Sequence, residues 1–358
     1  MLFEPLVAGK LHLKNRMVMS PMTRNRATAE NTPTALMAEY YGQRASAGLI
    51  VTEGTSPSPN GLGYPRIPGL FNLEQANAWK LVTDSVHARG GKIFVQLMHT
   101  GRVTNLANLP AGASVVGPSA EVCPGEIYTD ANGMQPYSPP RSMSEQDVAQ
   151  AIAEYVQSAQ LAIEAGFDGI ELHGANGYLI GQFLNANVNL RDDGYGGSIA
   201  GRNRFAIEAA RAAAAAIGAE RVGIRLSPYG VFNGTGEYPD VEEQYLSLVR
   251  EFSQLRLLYI HVLDHSAMGA PPVPEELKAK LKGAFAGLFI RAGGFNEASA
   301  ESVLTGGLAD LVAFGRPFLA NPDLVKRLHQ NAPLNEPDMS TFYTPGQKGY
   351  TDYPALAN

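Results

Sequence analysis

Eight short runs rich in Val, Ile, Leu or Met recur along the chain, most of them apolar at consecutive rather than alternate positions. They are Arg16–Ser20 (RMVMS), Leu49–Glu53 (LIVTE), Lys92–Leu97 (KIFVQL), Gly169–His173 (GIELH), Val222–Ser227 (VGIRLS), Leu258–Leu263 (LYIHVL), Gly287–Ala292 (GLFIRA) and Leu311–Gly315 (LVAFG). Continuous apolar runs of this length predict parallel strands covered on both faces. Helical spacing fills the intervals. Pro33–Ser46 places Leu36, Met37, Tyr40 and Tyr41 on one side, and Leu73–Arg89 does the same with Leu81, Val82 and Val86. Ser144–Ala165 opens with Ser144, Glu145 and Asp147, a cap followed by an acidic first turn. Gly201–Ile217 is Ala-rich. Val241–Leu255, Pro274–Leu281, Glu297–Leu304 and Asn321–His329 complete the set, the last with Pro322 in its expected first turn.

Eight strand–helix units predict an α/β fold, a (β/α)8 TIM barrel forming a single domain over residues 1–358. A doubly wound open sheet is the alternative, but no glycine-rich G-x-G-x-x-G turn follows the first strand. Phe3–Asn15 reads as a hairpin closing the barrel bottom. Leu106–Arg141, with Pro and Gly throughout, is too long for a simple connection and reads as an insertion, a lid, on the catalytic face.

Composition narrows the function. Hydrophobic residues make up 45% and charged residues 17%, so a large core is expected and disorder is not. The formal charge is −6 and no long basic run occurs, which argues against nucleic acid or an anionic membrane as partner. No apolar run approaches the ~20 residues that span a bilayer. The lone cysteine, Cys123, permits no internal disulfide and reads as a small loop residue. A soluble cytoplasmic protein is expected.

In a barrel of this kind, chemistry sits where strands end. The fourth strand leads into Glu171-Leu-His-Gly-Ala-Asn-Gly-Tyr178. His173 and Asn176 can both donate to one oxygen, and Tyr178 can donate a proton beside them. That set suits polarising a carbonyl and protonating a nearby carbon. A Schiff-base aldolase wants a strand-end lysine, but Lys92 lies at the wrong end of its strand. A glycosidase wants two carboxyls across a cleft, and strand ends offer Glu53 and Asp264 at most. A metal hydrolase built on His99, His173, His261 and His265 is the main rival, with thin carboxylate support. His261 and His265 otherwise read as supports of the sixth strand and its loop. Arg24 and Arg26 read as surface residues or as ordering the first loop, and Trp79 as helix packing.

Gly293-Gly294 and Gly315-Arg316 end the last two strands, where this fold often holds phosphate. Gln96 can pair in two directions with an amide-like ring edge. Arg225 can set a fixed positive charge beside a ring that gains electrons, and Thr23 can donate to a ring carbonyl. These needs match flavin mononucleotide (FMN).

The residues together resemble the Old Yellow Enzyme family of flavin-dependent ene-reductases over nearly the whole chain. The resemblance runs through Phe3-Glu-Pro-Leu6, Asn15-Arg16, Ser20-Pro-Met-Thr-Arg24, Val95-Gln-Leu97 and His99-Thr-Gly-Arg102. It continues through His173-Gly-Ala-Asn-Gly-Tyr-Leu179, Phe183-Leu-Asn185, Asn189, Arg191 and Tyr195-Gly-Gly-Ser198. It ends with Phe314-Gly-Arg-Pro317, Asn321-Pro-Asp-Leu324 and Gly349-Tyr-Thr-Asp-Tyr-Pro354. The resemblance implies an FMN enzyme that takes hydride from NADPH or NADH and reduces the C=C bond of activated alkenes: α,β-unsaturated carbonyls, maleimides and nitro compounds. His173 and Asn176 resemble the pair that binds the substrate oxygen, and Tyr178 the proton donor. Pro21, Met22, Thr23, Gly54, Gln96 and Arg225 resemble flavin contacts; Gly293, Gly294, Gly315 and Arg316 resemble phosphate contacts. Thr23, where another branch has cysteine, sides with the threonine-type branch. Tyr64 and Tyr350 are expected to line the substrate mouth. Met98 stands where near relatives often carry tryptophan, which implies a differently shaped pocket. No metal is expected, and the chain is expected as a monomer or homodimer. A flavin-binding module without turnover is the second rival.

Overall fold

The eight apolar runs become eight parallel strands that close on themselves. The computed structural model describes residues 1–357. The barrel strands are β1 (Met17–Met19), β2 (Leu49–Thr55), β3 (Ile93–Leu97), β4 (Gly169–Gly174), β5 (Val222–Leu226), β6 (Tyr259–Leu263), β7 (Leu288–Ala292) and β8 (Leu311–Phe314). They pair in chain order, and β8 returns to β1. Helices α1 (Ala35–Gln43), α2 (Leu73–His87), α3 (Glu145–Glu164), α4 (Leu179–Leu184), α5 (Ile199–Ile217), α6 (Val241–Gln254), α7 (Glu275–Ala284), α8 (Glu297–Thr305), α9 (Arg316–Ala320) and α10 (Leu324–His329) lie between or after them. The expected start of α3 holds: the Ser144 hydroxyl accepts from the Asp147 N–H, and the Asp147 carboxylate from the Ser144 N–H. The expected start of α10 does not. That helix begins at Leu324 after Asp323, so Pro322 precedes it, and α9 forms a separate short helix upstream. Among the described residues no helix is long and apolar enough to cross a membrane.

The barrel interior is apolar at the bottom and polar at the top. Val18, Leu49, Phe94, Ile290 and Leu311 fill the lower part, and Leu11 and Leu13 of the Leu6–Ala8/Leu11–Leu13 hairpin pack beneath them. Large rings need small neighbours in so narrow a cylinder. A Cβ on Gly223 would sit 2.2 Å from the Tyr259 ring. Glycine there lets Tyr259 cross the interior.

The insertion after β3 carries a two-stranded hairpin, Glu126–Thr129 with Gly133–Pro136. Its Cys123, buried and uncharged, packs with Met98, Tyr178 and the flanking Tyr64 and Tyr137. The insertion therefore forms one wall over the strand ends.

Another wall comes from the C-terminal segment, and it overturns the surface reading of two arginines. Arg24 is 0% exposed; its Nη2 donates to the Gly349 carbonyl at 2.6 Å and its Nη1 to the Tyr40 hydroxyl at 3.1 Å. Arg26 donates to the carbonyls of Thr341, Phe342 and Lys348. The guanidinium forks replace secondary structure as the partner of a loop backbone that would otherwise be buried unpaired. Arg24→Met should cost about 1–3 kcal/mol by orphaning the Gly349 carbonyl. Hydrogen exchange in residues 341–350 should rise with it; unchanged protection there would mean the segment is held by other contacts.

Candidate active site

A trough opens at the C-terminal ends of the strands. Its inner lobe, about 270 Å³, is lined by Pro21, Thr23, Gly54, Tyr64, Gln96, Met98, His173, Asn176, Tyr178 and Arg225, with Phe232, Asn233, His265, Met268 and Tyr343 at the rim. The outer lobe, about 580 Å³, runs over Met22, Gly293, Gly294, Gly315 and Arg316. Pro21, Thr23, Asn176 and Arg225 border both lobes. The size falls within the range of cofactor pockets.

His173, next to last on β4, is 3% exposed. Its Nδ1 accepts from the Ala175 N–H at 3.2 Å. A neutral imidazole nitrogen that accepts carries no proton, so the proton sits on Nε2 and leaves a donor in the lobe. Burial, then the charge of Arg225, holds the ring well below the usual imidazole range. Asn176 follows in a left-handed turn, φ 60°, which asparagine tolerates better than most residues. The turn is pinned from both sides: the Asn176 N–H donates to the Ser227 hydroxyl at 3.0 Å, and the Asn233 amide to the Asn176 carbonyl at 2.7 Å. The side-chain amide itself has no partner among the described residues, and its Oδ1 is buried.

Tyr178 caps the start of α4. Its hydroxyl hydrogen-bonds the Tyr64 hydroxyl at 3.0 Å, and its ring meets His173 edge to face at 5.0 Å. Burial pushes the phenol up to about 12, so it keeps its proton at neutral pH. Neither His173 nor Tyr178 should therefore change charge in the working range. The rate of any reaction that uses them should show no inflection from them between about pH 6 and about pH 9. An inflection near 6.5 that disappears in a His173 variant would show the ring titrating in place.

Arg225 is 5% exposed and its side chain makes no hydrogen bond to the described residues; its Nε is buried without a partner. Burial lowers its pKa, yet a guanidinium stays charged. Such a group, aimed into a cavity, calls for an acceptor brought by a ligand. Beside it, Gln96 spends its Nε2 on Glu171 at 2.8 Å and keeps Oε1 uncommitted. The Thr23 hydroxyl is likewise free of side-chain bonds. At the far end, Gly293 and Gly294 hold φ 134° and 67°, and a Cβ on Gly293 would lie 2.2 Å from the Asp264 carbonyl. Only glycine permits that turn. Arg316 stands over it, exposed and unpaired among the described residues. One acceptor, one hydroxyl and one free guanidinium at the junction, with a glycine cradle and an arginine beyond, fit a flat ring with an amide-like edge and a phosphate tail. FMN has that form.

Of the residues expected in the site, the trough gathers all but one. Tyr350 is the exception: 0% exposed, it stacks on Tyr40 at 4.0 Å with Arg24 and Arg26 over its face. It supports the wall from behind; Tyr343, on the same segment, lines both lobes instead. His265 also departs from expectation. It borders both lobes and packs against Phe232 at 4.6 Å. His261 does not reach the trough and pairs with Glu171. The four histidines of the metal reading are not gathered into one group: His99 accepts from the Gly101 N–H, and His173 and His261 have the partners given above.

Comparison with known proteins gives one answer. The NADH:flavin oxidoreductase / NADH oxidase family matches residues 1–335. A flavin oxidoreductase of Emericella nidulans is 41% identical, with 99% of this chain and 97% of that protein covered. A probable flavin mononucleotide-dependent alkene reductase of Leishmania infantum is also 41% identical, at 99% and 97% coverage. Among solved structures, morphinone reductase in complex with tetrahydroNAD superposes with a TM-score of 0.94 and 42% identity, covering 100% of this chain and 98% of that one.

Proposed function

The chain belongs to the NADH:flavin oxidoreductase / NADH oxidase family, the Old Yellow Enzymes, and on that premise we propose the residue roles by which it works as an FMN-dependent ene-reductase. FMN, when bound, would supply the relay of hydride from a nicotinamide cofactor to the alkene. Arg225, the Gln96 Oε1 and the Thr23 hydroxyl would hold the ring edge; Gly293, Gly294, Gly315 and Arg316 would hold the phosphate. Pro21, Met22 and Gly54, which line the trough, would flank the ring. His173 Nε2–H and the Asn176 amide N–H donate to the carbonyl or nitro oxygen of the substrate. These bonds strengthen as negative charge gathers on that oxygen, which draws electrons from the double bond. The Tyr178 hydroxyl gives its proton to the α-carbon. Tyr64, hydrogen-bonded to it, steadies the phenol, and Met98 shapes the floor.

The observation that carries this reading is the buried, unpartnered Arg225 at the junction of the two lobes, level with His173 on the neighbouring strand. The test is to purify the chain, identify any bound flavin, and follow NADPH or NADH oxidation anaerobically with 2-cyclohexenone. A colourless protein that cannot be reconstituted with FMN would refute it. A yellow protein that never oxidises the nicotinamide in the presence of enones would be a binding module. We place the chain in the cytoplasm as a monomer or homodimer of single-domain subunits, supported by its lone buried thiol and formal charge of −6.

Met98 lies across Gly54, where a Cβ would come within 2.4 Å of its sulfur. A thioether bends around a bulky ligand more readily than an indole does. Met98→Trp should narrow the inner lobe and change the preference between the two faces of substituted enones by about 1–3 kcal/mol. Unchanged product stereochemistry across several such enones would take Met98 out of the specificity set.

A further inference from the structure

Beneath the inner lobe the barrel holds a carboxylate with no role in the chemistry above. Glu171, two residues before His173 on β4, is 0% exposed. Three side chains converge on it. Gln96 Nε2 donates to Oε1 at 2.8 Å, the Tyr259 hydroxyl to Oε2 at 3.0 Å, and His261 Nδ1 meets Oε2 at 2.9 Å. Strand alternation turns Glu171 and His173 to the same interior side. The ladders set Gln96 level with Glu171, and Arg225 level with His173.

An isolated buried carboxylate is costly, and an apolar side chain would fill the space more cheaply. Burial opposes its charge, but His261, Arg225 and Gln96 together bring its pKa below the ordinary carboxylate value. The group remains an anion.

We propose that Glu171 is a positioning residue for the flavin: it dictates which end of the Gln96 amide faces the trough, and it offsets the Arg225 charge under the ring edge. The inference rests on the FMN reading above. A carboxylate can only accept, so Gln96 must turn its NH2 downward and its Oε1 upward. An isoalloxazine edge offers an N–H between two carbonyls, and Oε1 beside a guanidinium complements it. Glutamine at 171 would carry one donor end. Gln96 can satisfy it by turning over, which presents NH2 to the trough where an acceptor is needed. The Arg225 charge would also go unbalanced, which favours whichever flavin form carries more negative charge.

Two measurements on the apoprotein and holoprotein test this: the FMN dissociation constant by fluorescence quenching, and the midpoint potential by spectroelectrochemical titration. Glu171→Gln should bind oxidised FMN about tenfold more weakly while the reduced form binds as before. By linkage that is a rise in potential of about 30 mV for a two-electron couple. Glu171→Asp keeps the charge but loses reach; it should weaken FMN binding and leave the potential at the wild-type value, which a merely structural carboxylate has no reason to do. If Glu171→Gln does not fold, the paired exchange of Glu171→Gln with Gln96→Glu keeps a donor facing an acceptor and puts the anion at the trough, so the potential must fall. A Glu171→Gln protein with wild-type affinity and potential overturns the proposal, as does a paired exchange whose potential stays level or rises. Wild-type protein that binds no FMN is the distinct result that removes the cofactor reading, and this inference with it.

Discussion

Tyr178→Phe is expected to slow alkene reduction by about 10²–10⁴-fold, the usual worth of a placed general acid, with reduction of the bound flavin by NAD(P)H left at the wild-type rate. The phenol is the group best suited to that task in the inner lobe. Its hydroxyl keeps its proton, since burial pushes it up to about 12, and Tyr64 fixes its position through a 3.0 Å bond. Phenylalanine preserves the ring, and with it the edge-to-face contact with His173 and the packing against Met98 and the insertion. The change therefore removes the hydroxyl, with its proton and its bond to Tyr64, and leaves the packing of the ring. Rapid-mixing measurement of the two half-reactions separates the outcomes. Slow oxidation by 2-cyclohexenone after normal reduction supports the assignment. Equal oxidation rates remove Tyr178 from its role, and parallel slowing of both halves points to a disturbed flavin.

The contrast between tyrosines on one segment explains how far the sequence was legible. The barrel could be read because parallel strands covered on both faces leave continuous apolar runs, and all eight runs became strands. Most of the trough could be read because the fold sends chemistry to strand ends, so His173, Asn176, Gln96 and Arg225 were placed by register alone. The C-terminal segment has no such period. Tyr350 and Tyr343 look alike as sequence, and what separates them is Arg24 and Arg26, which lie more than 300 positions upstream in hydrogen-bond reach of the same backbone. Arginine is usually exposed, so local pattern pointed outward for both. The place of His265 at both lobes is hidden from the sequence for a related reason. A loop residue after β6 can turn toward or away from the lobe, and here the His265 ring packs on Phe232, a residue far along the chain. Glu171 does carry a signal in the sequence: a charged residue inside a run otherwise reading as a buried strand.

His173→Leu is expected to lower the rate of enone reduction by about 10²–10³-fold, or 2.7–4 kcal/mol of barrier, the effect of removing one donor from a developing oxyanion. The ring acts through Nε2–H because the Ala175 N–H occupies Nδ1, so its contribution depends on a backbone bond as much as on the imidazole. Leucine leaves that N–H unpaired as well, at about 1–3 kcal/mol of stability, which could by itself loosen the turn that carries Asn176. His173→Asn controls for this. Its amide oxygen can accept from Ala175 while its NH2 donates into the lobe, at shorter reach. The asparagine variant should recover part of the lost rate and melt close to wild type. If instead both variants lose activity only in step with their melting temperatures, the imidazole is holding the turn, and the substrate oxygen is bound by other groups. Combining His173→Leu with Asn176→Ala sharpens the distinction, because two donors acting on one oxygen lose less together than the sum of their separate losses.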